Sequence, residues 1–442
     1  MIDTTLKYGI LGFARSGQAV ADRLKVAGAQ YLISDQSSAD KFALELRSRY
    51  NCEFGSHSEE FLKSDLIIVS PGVPYRAPII LKAQSLGIEV ISEIEFGYRI
   101  KHPKSKIIAV TGSNGKSTTV SLIHHILKKN GYHSILAGNI GDAFTGYPID
   151  KEGIDFIVLE ISSFQLELIR DFKPDVAAIL NITPDHLNRY DNFEHYGDTK
   201  FKLLSNLDAG NTVVLNKDDT FIQNKLNEVK GDIKQFSMLN IADAFFKDSK
   251  VISELGEINS NDISIKGPHN IANSMAAILC LEKYLTLDEI KIGLEDFKSL
   301  EHRLEYVDTV NSVKFYNDSK ATNTDSVKFA LQSFNSPIRI ILGGSDKGED
   351  FSILSPYLKD SCAHLYLIGE TKDKMKKSFS DFTNKSEYET LNDAVTSAYK
   401  HSQPGDIVLL SPACASYDMF KNYEHRGNSF KEIVQEIKNE TE

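Results

Sequence analysis

The residues with the clearest chemistry lie in one glycine-rich segment, residues 110–118, which reads Val-Thr-Gly-Ser-Asn-Gly-Lys-Ser-Thr. It follows an apolar run and precedes an amphipathic one, which predicts a strand, a turn and a helix. Glycines let backbone N–H groups approach a phosphate, Lys116 can reach terminal phosphates, and the Ser117 hydroxyl can bind Mg²⁺. The loop is shorter than a standard phosphate loop, because only two residues separate Gly112 and Gly115. We predict nucleotide binding here rather than a plain glycine corner.

Polar residues also follow the next predicted strands. Glu160 ends the apolar run 156–160, where a Mg²⁺ partner would lie, although a carboxylate there could also cap the strand end. His186 closes the segment Asn-Ile-Thr-Pro-Asp-His, and a structural and a catalytic role are equally open for it. Lys200 lies in a predicted helix one turn after Tyr196, and helical periodicity alone favours a solvated lysine.

Two further motifs suggest other nucleotides. The turn Gly12–Gly17 has the spacing of a dinucleotide fingerprint, with Ala14 at the middle glycine and Asp35 after the next strand. A dehydrogenase and a second nucleotide-like ligand therefore both remain open. The segment Asn216–Asp219 matches the guanine-reading pattern of GTPases, but the loop spacing is wrong for one, and we interpret it as a solvated turn. Cys414 has no identifiable base, so a packed thiol is favoured over a nucleophile.

Alternating apolar and amphipathic segments predict the elements that position these residues, in an α/β chain with parallel sheets. Strands are predicted at 7–12, 30–34, 65–70, 88–91, 106–112, 155–162, 175–182, 212–216, 314–318, 338–344, 364–369 and 406–411, and helices at 19–28, 116–130 and 269–285. Residues 227–264 are less regular and predict a β-rich insertion. Boundaries within 94–104 and near Ser299 give three domains. These are a Rossmann-like domain (1–95), a central phosphate-loop domain (96–299) and a Rossmann-like C-terminal domain (300–442).

Composition narrows the class of protein. The 442 residues carry 50 Lys and Arg against 61 Asp and Glu, a formal charge of −11, which argues against a nucleic-acid partner. No apolar run is long enough to span a membrane, and the N-terminus has no signal-peptide pattern. The four cysteines are scattered, which suits a reduced, cytoplasmic compartment better than disulfides or zinc.

Many segments in order resemble the Mur ligases of peptidoglycan synthesis, over nearly the whole chain. They are TGSNGKST (111–118), AGNIG (137–141), LEISSFQ (159–165), NITPDH (181–186), Tyr196 with Lys200, GPHNIAN (267–273), EHR (301–303), NDSKATN (317–323), GGSDK (343–347) and SPACASYD (411–418). The last two segments are similar to those of the members that add D-glutamate. The Asp-Asn-Pro-Arg motif of the diamino-acid-adding members is absent from the sequence.

The resemblance implies an ATP-dependent amide-forming ligase that activates a carboxylate as an acyl phosphate. Its substrates would be UDP-N-acetylmuramoyl-L-alanine and D-glutamate, and its products would include ADP and phosphate. It further implies two Mg²⁺ sites, a cytoplasmic enzyme, no nucleic-acid partner, no membrane insertion and a monomer. A folate polyglutamylating ligase shares the central and C-terminal chemistry, but it lacks a Rossmann-type N-terminal domain.

The resemblance also assigns roles to residues. The catalytic residues would be Lys116, Glu160, His186 and Lys200, and the Mg²⁺ ligands Ser117, Glu160, His186 and Lys200 as a carbamate. ATP would be held by Gly112, Ser113, Asn114, Gly115, Lys116, Ser117, Thr118, Asn270, Asn273, Arg303, Asp318 and Lys320. The UDP part would be held by Arg15, Ser16, Asp35, Gln36 and Gly72, the muramoyl-alanine arm by Asn139, and glutamate by Thr322, Lys347, Ser416 and Tyr423.

Overall fold

The apolar runs of the first ninety residues form a parallel five-stranded sheet in the order β3-β2-β1-β4-β5. The computed structural model describes residues 2–186, 189–298, 300–346 and 348–441, so that the predicted boundary at Ser299 and the predicted ligand Lys347 lie outside the described residues. The strands of this sheet are β1 (Lys7–Leu11), β2 (Gln30–Asp35), β3 (Cys52–Phe54), β4 (Leu66–Val69) and β5 (Glu89–Ser92), and the helices are α1 (Arg15–Ala27), α2 (Leu44–Arg47), α3 (Pro78–Ser85) and α4 (Glu93–Ile100). The strand order reverses between β1 and β4, and such a reversal opens a ligand crevice at the carboxyl ends of the two strands.

The turn from β1 into α1 depends on glycine. Gly12 has φ +101°, and a Cβ on Gly17 would come within 2.0 Å of the Gly12 carbonyl oxygen. The start of the helix can therefore approach the end of the strand only because both positions lack a side chain.

The central sheet has nine strands among the described residues, in the order β14-β13-β12-β11-β10-β9-β6-β8-β7. Its strands are β6 (Lys106–Thr111), β7 (Ser134–Gly138), β8 (Phe156–Glu160), β9 (Val176–Ile179), β10 (Thr212–Asn216), β11 (Asp232–Ser237), β12 (Ala244–Lys247), β13 (Lys250–Ser253) and β14 (Gly256–Asn259). The helices are α5 (Lys116–Lys129), α6 (Ser163–Leu166), α7 (Phe193–Phe201), α8 (Thr220–Asn224), α9 (Pro268–Leu281) and α10 (Leu287–Asp296). In the order of the sheet, the strands from β7 through β6 to β12 pair in parallel, and β12, β13 and β14 form an antiparallel meander. The predicted β-rich insertion at 227–264 is thus confirmed.

The third sheet has the order β15-β16-β20-β17-β18-β19. Its strands are β15 (Glu305–Val310), β16 (Val313–Asn317), β17 (Ile338–Gly343), β18 (Cys362–Ile368), β19 (Lys385–Glu387) and β20 (Ile407–Leu410), and its helices are α11 (Thr324–Leu331), α12 (Ser355–Ser361), α13 (Lys372–Ser378), α14 (Leu391–Lys400) and α15 (Tyr423–Thr441). Only β15 and β16 pair antiparallel among the described strands of this sheet. The long helix α15 turns Arg426, Phe430, Val434 and Ile437 inward at helical spacing.

The chain divides into two compact units. The first contains Met1–Asp262 and Ala272–Glu295, and therefore both the N-terminal and the central sheet. The second contains Ile263–Ile271 and Asp296–Glu442, with the third sheet. The predicted α/β fold class with parallel sheets is confirmed. In the described part of the chain, every helix is too short or too polar to cross a membrane.

Candidate active site

The phosphate loop joins β6 to α5 at the carboxyl edge of the central sheet. Gly112 has φ +153° and Gly115, which precedes the helix, has φ +86°. A Cβ on Gly115 would come within 2.4 Å of Asn273 Oδ1, so the loop is a cradle that a side chain would fill. The predicted ATP-binding residues 112–118 therefore form one continuous turn and first helical turn, with N–H groups directed out of the helix start.

Lys116 folds back over this loop. Its Nζ donates to the carbonyl oxygens of Gly112 and Ser113, both at 2.8 Å. Ser117, one residue later, is fully buried, and Thr118 is partly exposed. The loop thus carries a cation at the position where a terminal phosphate would need one.

Glu160 and Asn139 meet beside the loop because of the strand register. Val110 of β6 and Gly138 of β7 both pair with Glu160 at the end of β8. Asn139 Nδ2 donates to Glu160 Oε1 at 2.7 Å, and its backbone N–H donates to the Glu160 carbonyl oxygen at 2.9 Å. The Glu160 side chain is buried, so its carboxylate is held in place at the loop.

Lys200 is not the solvated helix lysine that periodicity favoured. It is 2% exposed, and its Nζ donates to the Gly112 carbonyl oxygen at 2.8 Å. Burial lowers the pKa of Lys200 well below its usual value, and Lys116 lowers it further by repulsion, whereas Asp185 and Glu160 oppose this shift. The amine therefore lies against the phosphate loop, and two carboxylates act on its charge.

Two residues next to Lys200 were not predicted as site residues. The Tyr196 hydroxyl lies 3.2 Å from Ser113 Oγ, and the Tyr196 ring centroid is 4.8 Å from the Lys200 amine. Asp185 influences the charge of Lys200 and precedes His186 in the same sequence motif. Asp185 could have been predicted from that motif, because it is a carboxylate directly next to the predicted metal ligand His186.

His186 follows β9 in an unusual backbone conformation, with φ +54°. Its backbone N–H donates to Asp185 Oδ1 at 2.8 Å, and its ring lies 4.8 Å from the Phe164 ring, centroid to centroid. A residue with a Cβ is strained in this region, which is common at functional sites. The structure therefore places His186 on the same sheet edge as Glu160 and the phosphate loop.

Four of the five predicted UDP contacts line one of two cavities in the first unit. Asp35, Gln36 and Gly72 line a cavity of about 270 Å³ at the ends of β1 and β4. The Asp35 carboxylate accepts the N–H groups of Phe13 at 2.7 Å and of Ser37 at 2.8 Å. Asp35 thereby shapes the turn that lines the cavity.

A second cavity, of about 420 Å³, is lined by Arg15 and by residues of α1 and of the segment 142–146. Ser16 lies in the first turn of the same helix. His57 was not predicted as a site residue, but it lines the first cavity, where Ser34 Oγ lies 2.6 Å from both His57 Nδ1 and Glu53 Oε1. An isolated histidine in a loop gave no indication of this contact.

In the second unit, Arg303 lies in a constrained turn. His302 and Leu304 on either side have φ +63° and +42°. Asp318 Oδ1 accepts the Leu304 N–H at 3.2 Å, and the Lys320 N–H donates to the His302 carbonyl oxygen at 3.0 Å. The three predicted residues Arg303, Asp318 and Lys320 are thereby brought together.

Asp318 follows β16 next to the end of β20, since Asn317 pairs with Leu410. Its Oδ2 accepts the Ser411 hydroxyl at 2.8 Å. Burial raises the pKa of Asp318 to about 7, against the opposing effect of the hydrogen bonds and of Arg303 and Arg426. A carboxyl with such a pKa titrates near neutral pH, which is typical of a functional site.

The predicted glutamate ligands lie in the loops that follow β16 and β20 and at the start of α15. Ser416 is buried, Thr322 and Tyr423 are partly exposed, and the Lys320 amine is 5.3 Å from the Tyr423 ring centroid. Lys347, which is also predicted for this group, lies outside the described residues.

The loop after β17 joins the same edge of the sheet. The Ser345 N–H donates to the Ala415 carbonyl oxygen at 2.9 Å, and the Asp418 N–H donates to Ser345 Oγ at 2.8 Å. Asp346 is ion-paired with Lys374 at 2.8 Å. Its carboxylate is therefore engaged on the surface of the unit.

The two predicted asparagines of α9 belong to different units. Asn270 groups with the second unit and donates through Nδ2 to the Lys266 carbonyl oxygen at 2.8 Å. Asn273 groups with the first unit and lies against Gly115 of the phosphate loop.

The guanine-reading pattern at 216–219 is a structural turn. Asp218 accepts from Ser237 Oγ and from the Met238 N–H, both at 2.6 Å, and Asp219 caps α8. Cys414 is buried, and burial raises its pKa to about 12, so the thiol stays protonated near neutral pH. Both observations agree with the interpretations preferred from the sequence.

The donor atoms near the phosphate loop suit a hard cation. Among the residues that the structure describes, no group of three or more His, Cys, Asp and Glu is arranged to hold a metal ion. A Mg²⁺ ion bound through one or two carboxylates and substrate phosphates needs no such group. The buried carboxylate of Glu160 and the hydroxyl of Ser117 are donors of the kind that it prefers.

Three family models match successive parts of the chain. They are described as "Mur ligase MurD-like, N-terminal domain" over residues 7–92, "Mur ligase middle domain" over 110–281 and "Mur ligase, glutamate ligase domain" over 302–414. Each match covers most of one of the three sheets described above.

Among solved structures, the chain is similar to the UDP-N-acetylmuramate-alanine ligase MurC of Thermotoga maritima, with 19% identity, a TM-score of 0.64 and coverage of 98% and 100%. It is also similar to MurF of Acinetobacter baumannii, with 16% identity, a TM-score of 0.66 and coverage of 97% and 93%. At these identities the likeness concerns the fold.

Curated relatives are more similar in sequence. The UDP-N-acetylmuramoylalanine--D-glutamate ligase of Salinibacter ruber is 38% identical over 97% of both chains. The ligase of the same name from Caldicellulosiruptor bescii is 41% identical over 97% of both chains. With this identity over nearly the full length, and with family models across all three sheets, the chain belongs to the Mur ligase family.

Proposed function

We propose that this chain adds D-glutamate to UDP-N-acetylmuramoyl-L-alanine at the expense of ATP, in the cytoplasmic part of peptidoglycan synthesis. The observation that carries the proposal is the set of polar residues at the strand ends of each sheet, in a chain whose full-length relatives bear that enzyme's name. The acceptor carboxylate takes the γ-phosphoryl group to give an acyl phosphate and ADP. The glutamate amine then attacks the acyl carbon, an amide forms, and phosphate leaves.

The phosphate loop supplies the charge for the first step. Lys116 and the N–H groups at the start of α5 bind the triphosphate and offset the charge that develops on the transferring group. Asn273, which lies against Gly115, is assigned to ATP as well, and so are Asn270, Arg303, Asp318 and Lys320.

Ser117 and Glu160 would hold one Mg²⁺ ion, and His186 with a carbamylated Lys200 would hold a second. Magnesium would neutralise phosphate charge and orient the phosphoryl oxygens. The lowering of the Lys200 pKa by burial supports the carbamate, because only a neutral amine reacts with CO₂. The product is an anionic oxygen donor beside Glu160, which a cationic lysine is not.

The acceptor and the amino acid are assigned to separate parts of the chain. Arg15, Ser16, Asp35, Gln36 and Gly72 hold the UDP part, and Asn139, which is fixed on Glu160, meets the muramoyl-alanine arm. The groups proposed to bind glutamate are Thr322, Lys347, Ser416 and Tyr423. We assign these tasks to three domains, 1–95, 96–299 and 300–442, in a monomeric enzyme.

The test is phosphate release from ATP with each substrate omitted in turn. Release is expected only when UDP-N-acetylmuramoyl-L-alanine and glutamate are both present, with D-glutamate and not L-glutamate as the co-substrate. Mass spectrometry should find the acceptor increased by one glutamyl residue. Release without the acceptor, or equal use of both enantiomers, would contradict the proposal.

A further inference from the structure

Arg426 is the largest fully buried side chain among the described residues, and no sequence motif assigns it a role. It lies one turn into α15, on the face that packs against the third sheet. Its guanidinium donates four recorded hydrogen bonds, and all four acceptors are uncharged. They are Ser319 Oγ from Nε at 3.0 Å, the Ser319 carbonyl oxygen from Nη2 at 2.7 Å, the Cys414 carbonyl oxygen from Nη2 at 3.1 Å, and the Ala415 carbonyl oxygen from Nη1 at 3.3 Å.

These acceptors belong to loops that follow neighbouring strands. Ser319 lies between Asp318 and Lys320, which are assigned to phosphoryl transfer. Cys414 and Ala415 directly precede Ser416, which is assigned to glutamate. The Ala415 carbonyl oxygen also accepts the Ser345 N–H at 2.9 Å, so the loop after β17 joins the same arrangement.

The approach of the three loops depends on a position without a side chain. A Cβ on Gly344, φ +145°, would come within 2.2 Å of the Ala415 carbonyl oxygen and 3.2 Å of Arg426 Nη1. Ala413 in the same loop has φ +60°, a conformation that costs free energy and persists only where neighbouring contacts hold it. The guanidinium provides such contacts for the two residues that follow.

A buried charge whose acceptors are uncharged is costly, and a neutral side chain would be cheaper if only packing were needed. A guanidinium differs because its donors are fixed in a rigid plane and can bind several carbonyl oxygens at once. Burial lowers the pKa of Arg426 to about 10, so the group stays charged near neutral pH.

We propose that Arg426 is a positioning residue for this reaction: its guanidinium fixes the backbone of the loops after β16 and β20 so that their side chains meet the phosphoryl group and the amino acid together. The proposal rests on the proposed function of those loops. Arg426 itself touches neither substrate.

The charge of Arg426 has a second effect, on Asp318. Of the groups that face Asp318, the Ser411 hydroxyl, the Leu304 N–H, Arg303 and Arg426 all stabilise its ionised form. The charged or titratable groups that face Arg426 are Cys414, Asp418 and Asp318. Removal of the positive charge should therefore raise the pKa of Asp318, whereas a lysine in its place should change that pKa less.

The test compares Arg426→Lys and Arg426→Met with Arg339→Met in the full chain. Arg339 is a matched control, because it is also a largely buried arginine of this unit, bound to Asp406 at 2.9 Å at the opposite end of β17.

Both Arg426 variants should raise the KM for D-glutamate and lower kcat, each by about tenfold to a hundredfold, because small displacements of reacting groups are costly. The KM for UDP-N-acetylmuramoyl-L-alanine should stay within about twofold of the wild-type value, because the residues proposed to bind that substrate are unchanged. In addition, Arg426→Met, and not Arg426→Lys, should move the acid limb of the pH–rate profile to higher pH.

Hydrogen exchange of the free enzyme tests the positioning without relying on any activity. Amides of 317–323 and 411–420 should exchange faster in the Arg426 variants, with no change there in Arg339→Met. Unchanged exchange and unchanged KM for D-glutamate in Arg426→Lys would overturn the proposal, as would equal effects in Arg339→Met. If Arg426→Met does not fold, the lysine variant decides. If the wild-type enzyme does not ligate glutamate, the proposed function fails, while the exchange measurement still tests the loops.

Discussion

Two lysine amines converge on one backbone carbonyl group, that of Gly112, which accepts from Lys116 and from Lys200 at 2.8 Å each. Two ammonium groups at this separation repel each other, and burial penalises the charge of Lys200 more than that of the partly exposed Lys116. Of the two amines, Lys200 is the one whose neutral form is favoured by burial and by the neighbouring lysine. Different tasks for the two lysines follow from this difference.

For Lys116, the expected result of Lys116→Ala is a loss of ATP-dependent ligation of about a hundredfold or more, which is the scale for removal of one preorganised charge contact in a transition state. Lys128→Ala is the control, because Lys128 is exposed near the other end of the same helix. Steady-state phosphate release measures both variants. Near wild-type turnover in Lys116→Ala would exclude the phosphate-loop role.

For Lys200, the carbamate predicts that Lys200→Arg is as inactive as Lys200→Ala, since a guanidinium forms no stable carbamate. A cationic role would instead leave Lys200→Arg active. A short-chain carboxylic acid at high concentration should partly restore Lys200→Ala by supplying the missing anion. The wild-type enzyme should also lose activity in CO₂-free buffer, and faster at lower pH, because protonation favours loss of CO₂ from the carbamate. Added bicarbonate should restore the activity at a pH at which the amine is neutral.

Lys202→Ala provides the matched control for that experiment. Lys202 is two residues away, its amine donates to the Glu167 carbonyl oxygen at 3.0 Å, and burial lowers its pKa as well. The added short-chain carboxylic acid should not change the activity of Lys202→Ala. Activity in Lys200→Arg, or the absence of rescue by any small carboxylate, counts against the modification.

At the scale of elements, the strand ends explain which residues meet. Apolar runs predicted the strands because parallel strands are buried on both faces and read as continuous hydrophobic segments. Once the register is known, Glu160 lies beside Val110 and Asp318 lies beside Ser411. Motifs that follow strands could therefore be assigned to the site from sequence alone.

Contacts made by distant parts of the chain could not be predicted in this way. Lys200 has the helical spacing of a solvated residue, and only the loop after β6 buries it. Arg426 lies in an amphipathic helix, where an arginine normally faces solvent. His302 and Leu304 have left-handed backbone conformations that no glycine in the sequence indicates. A hydrogen bond from Leu304 to Asp318, in another loop, stabilises this turn.

Helix α4 carries two buried carboxylates in opposite situations, and this difference predicts a pH dependence of stability. Glu95 is bound to Arg99 and accepts three backbone N–H groups. Within the described part of the chain, Glu93 accepts only from Thr145, through its N–H and hydroxyl at 2.7 Å, and burial raises the pKa of Glu93. A folded-state pKa above the unfolded value means that the folded state binds the proton more tightly, so stability falls as the pH rises between the two values.

Glu93→Gln should therefore weaken the decline of Tm with pH above about pH 4.3, the usual glutamate pKa, since the amide keeps the acceptor for Thr145 and has no charge. Glu95→Gln is the matched control. It should lower Tm over the neutral range, because Arg99 and three N–H groups lose a charged partner. Thermal unfolding at a series of pH values measures both variants. If Tm declines with pH as steeply in Glu93→Gln as in the wild type, the Glu93 carboxyl is not the cause of the decline.

At the scale of the whole molecule, the proposed ligand contacts are divided between the two compact units. The acceptor contacts lie in the first unit, at residues 15–72 and at Asn139, and the glutamate contacts lie in the second. Of the residues proposed to bind ATP, 112–118 and Asn273 belong to the first unit, whereas Asn270, Arg303, Asp318 and Lys320 belong to the second.

Hydrogen exchange should display this division directly. UDP-N-acetylmuramoyl-L-alanine alone should slow exchange only in the first unit, near 12–17, 35–36 and 137–142. A non-hydrolysable ATP analogue with Mg²⁺ should slow exchange in both units, at 112–118 and at 303–320. At a ligand concentration of 100 times Kd the stabilisation is about 2.7 kcal/mol, or about a hundredfold in the slowed opening of the bound segments. Lys116→Ala should lose the effect of the analogue in both units and keep that of the acceptor, since Lys116 is the cation proposed to bind the triphosphate. Protection of 303–320 by the acceptor alone, or protection of the first unit alone by the analogue, would contradict the assignment of these residues to ATP.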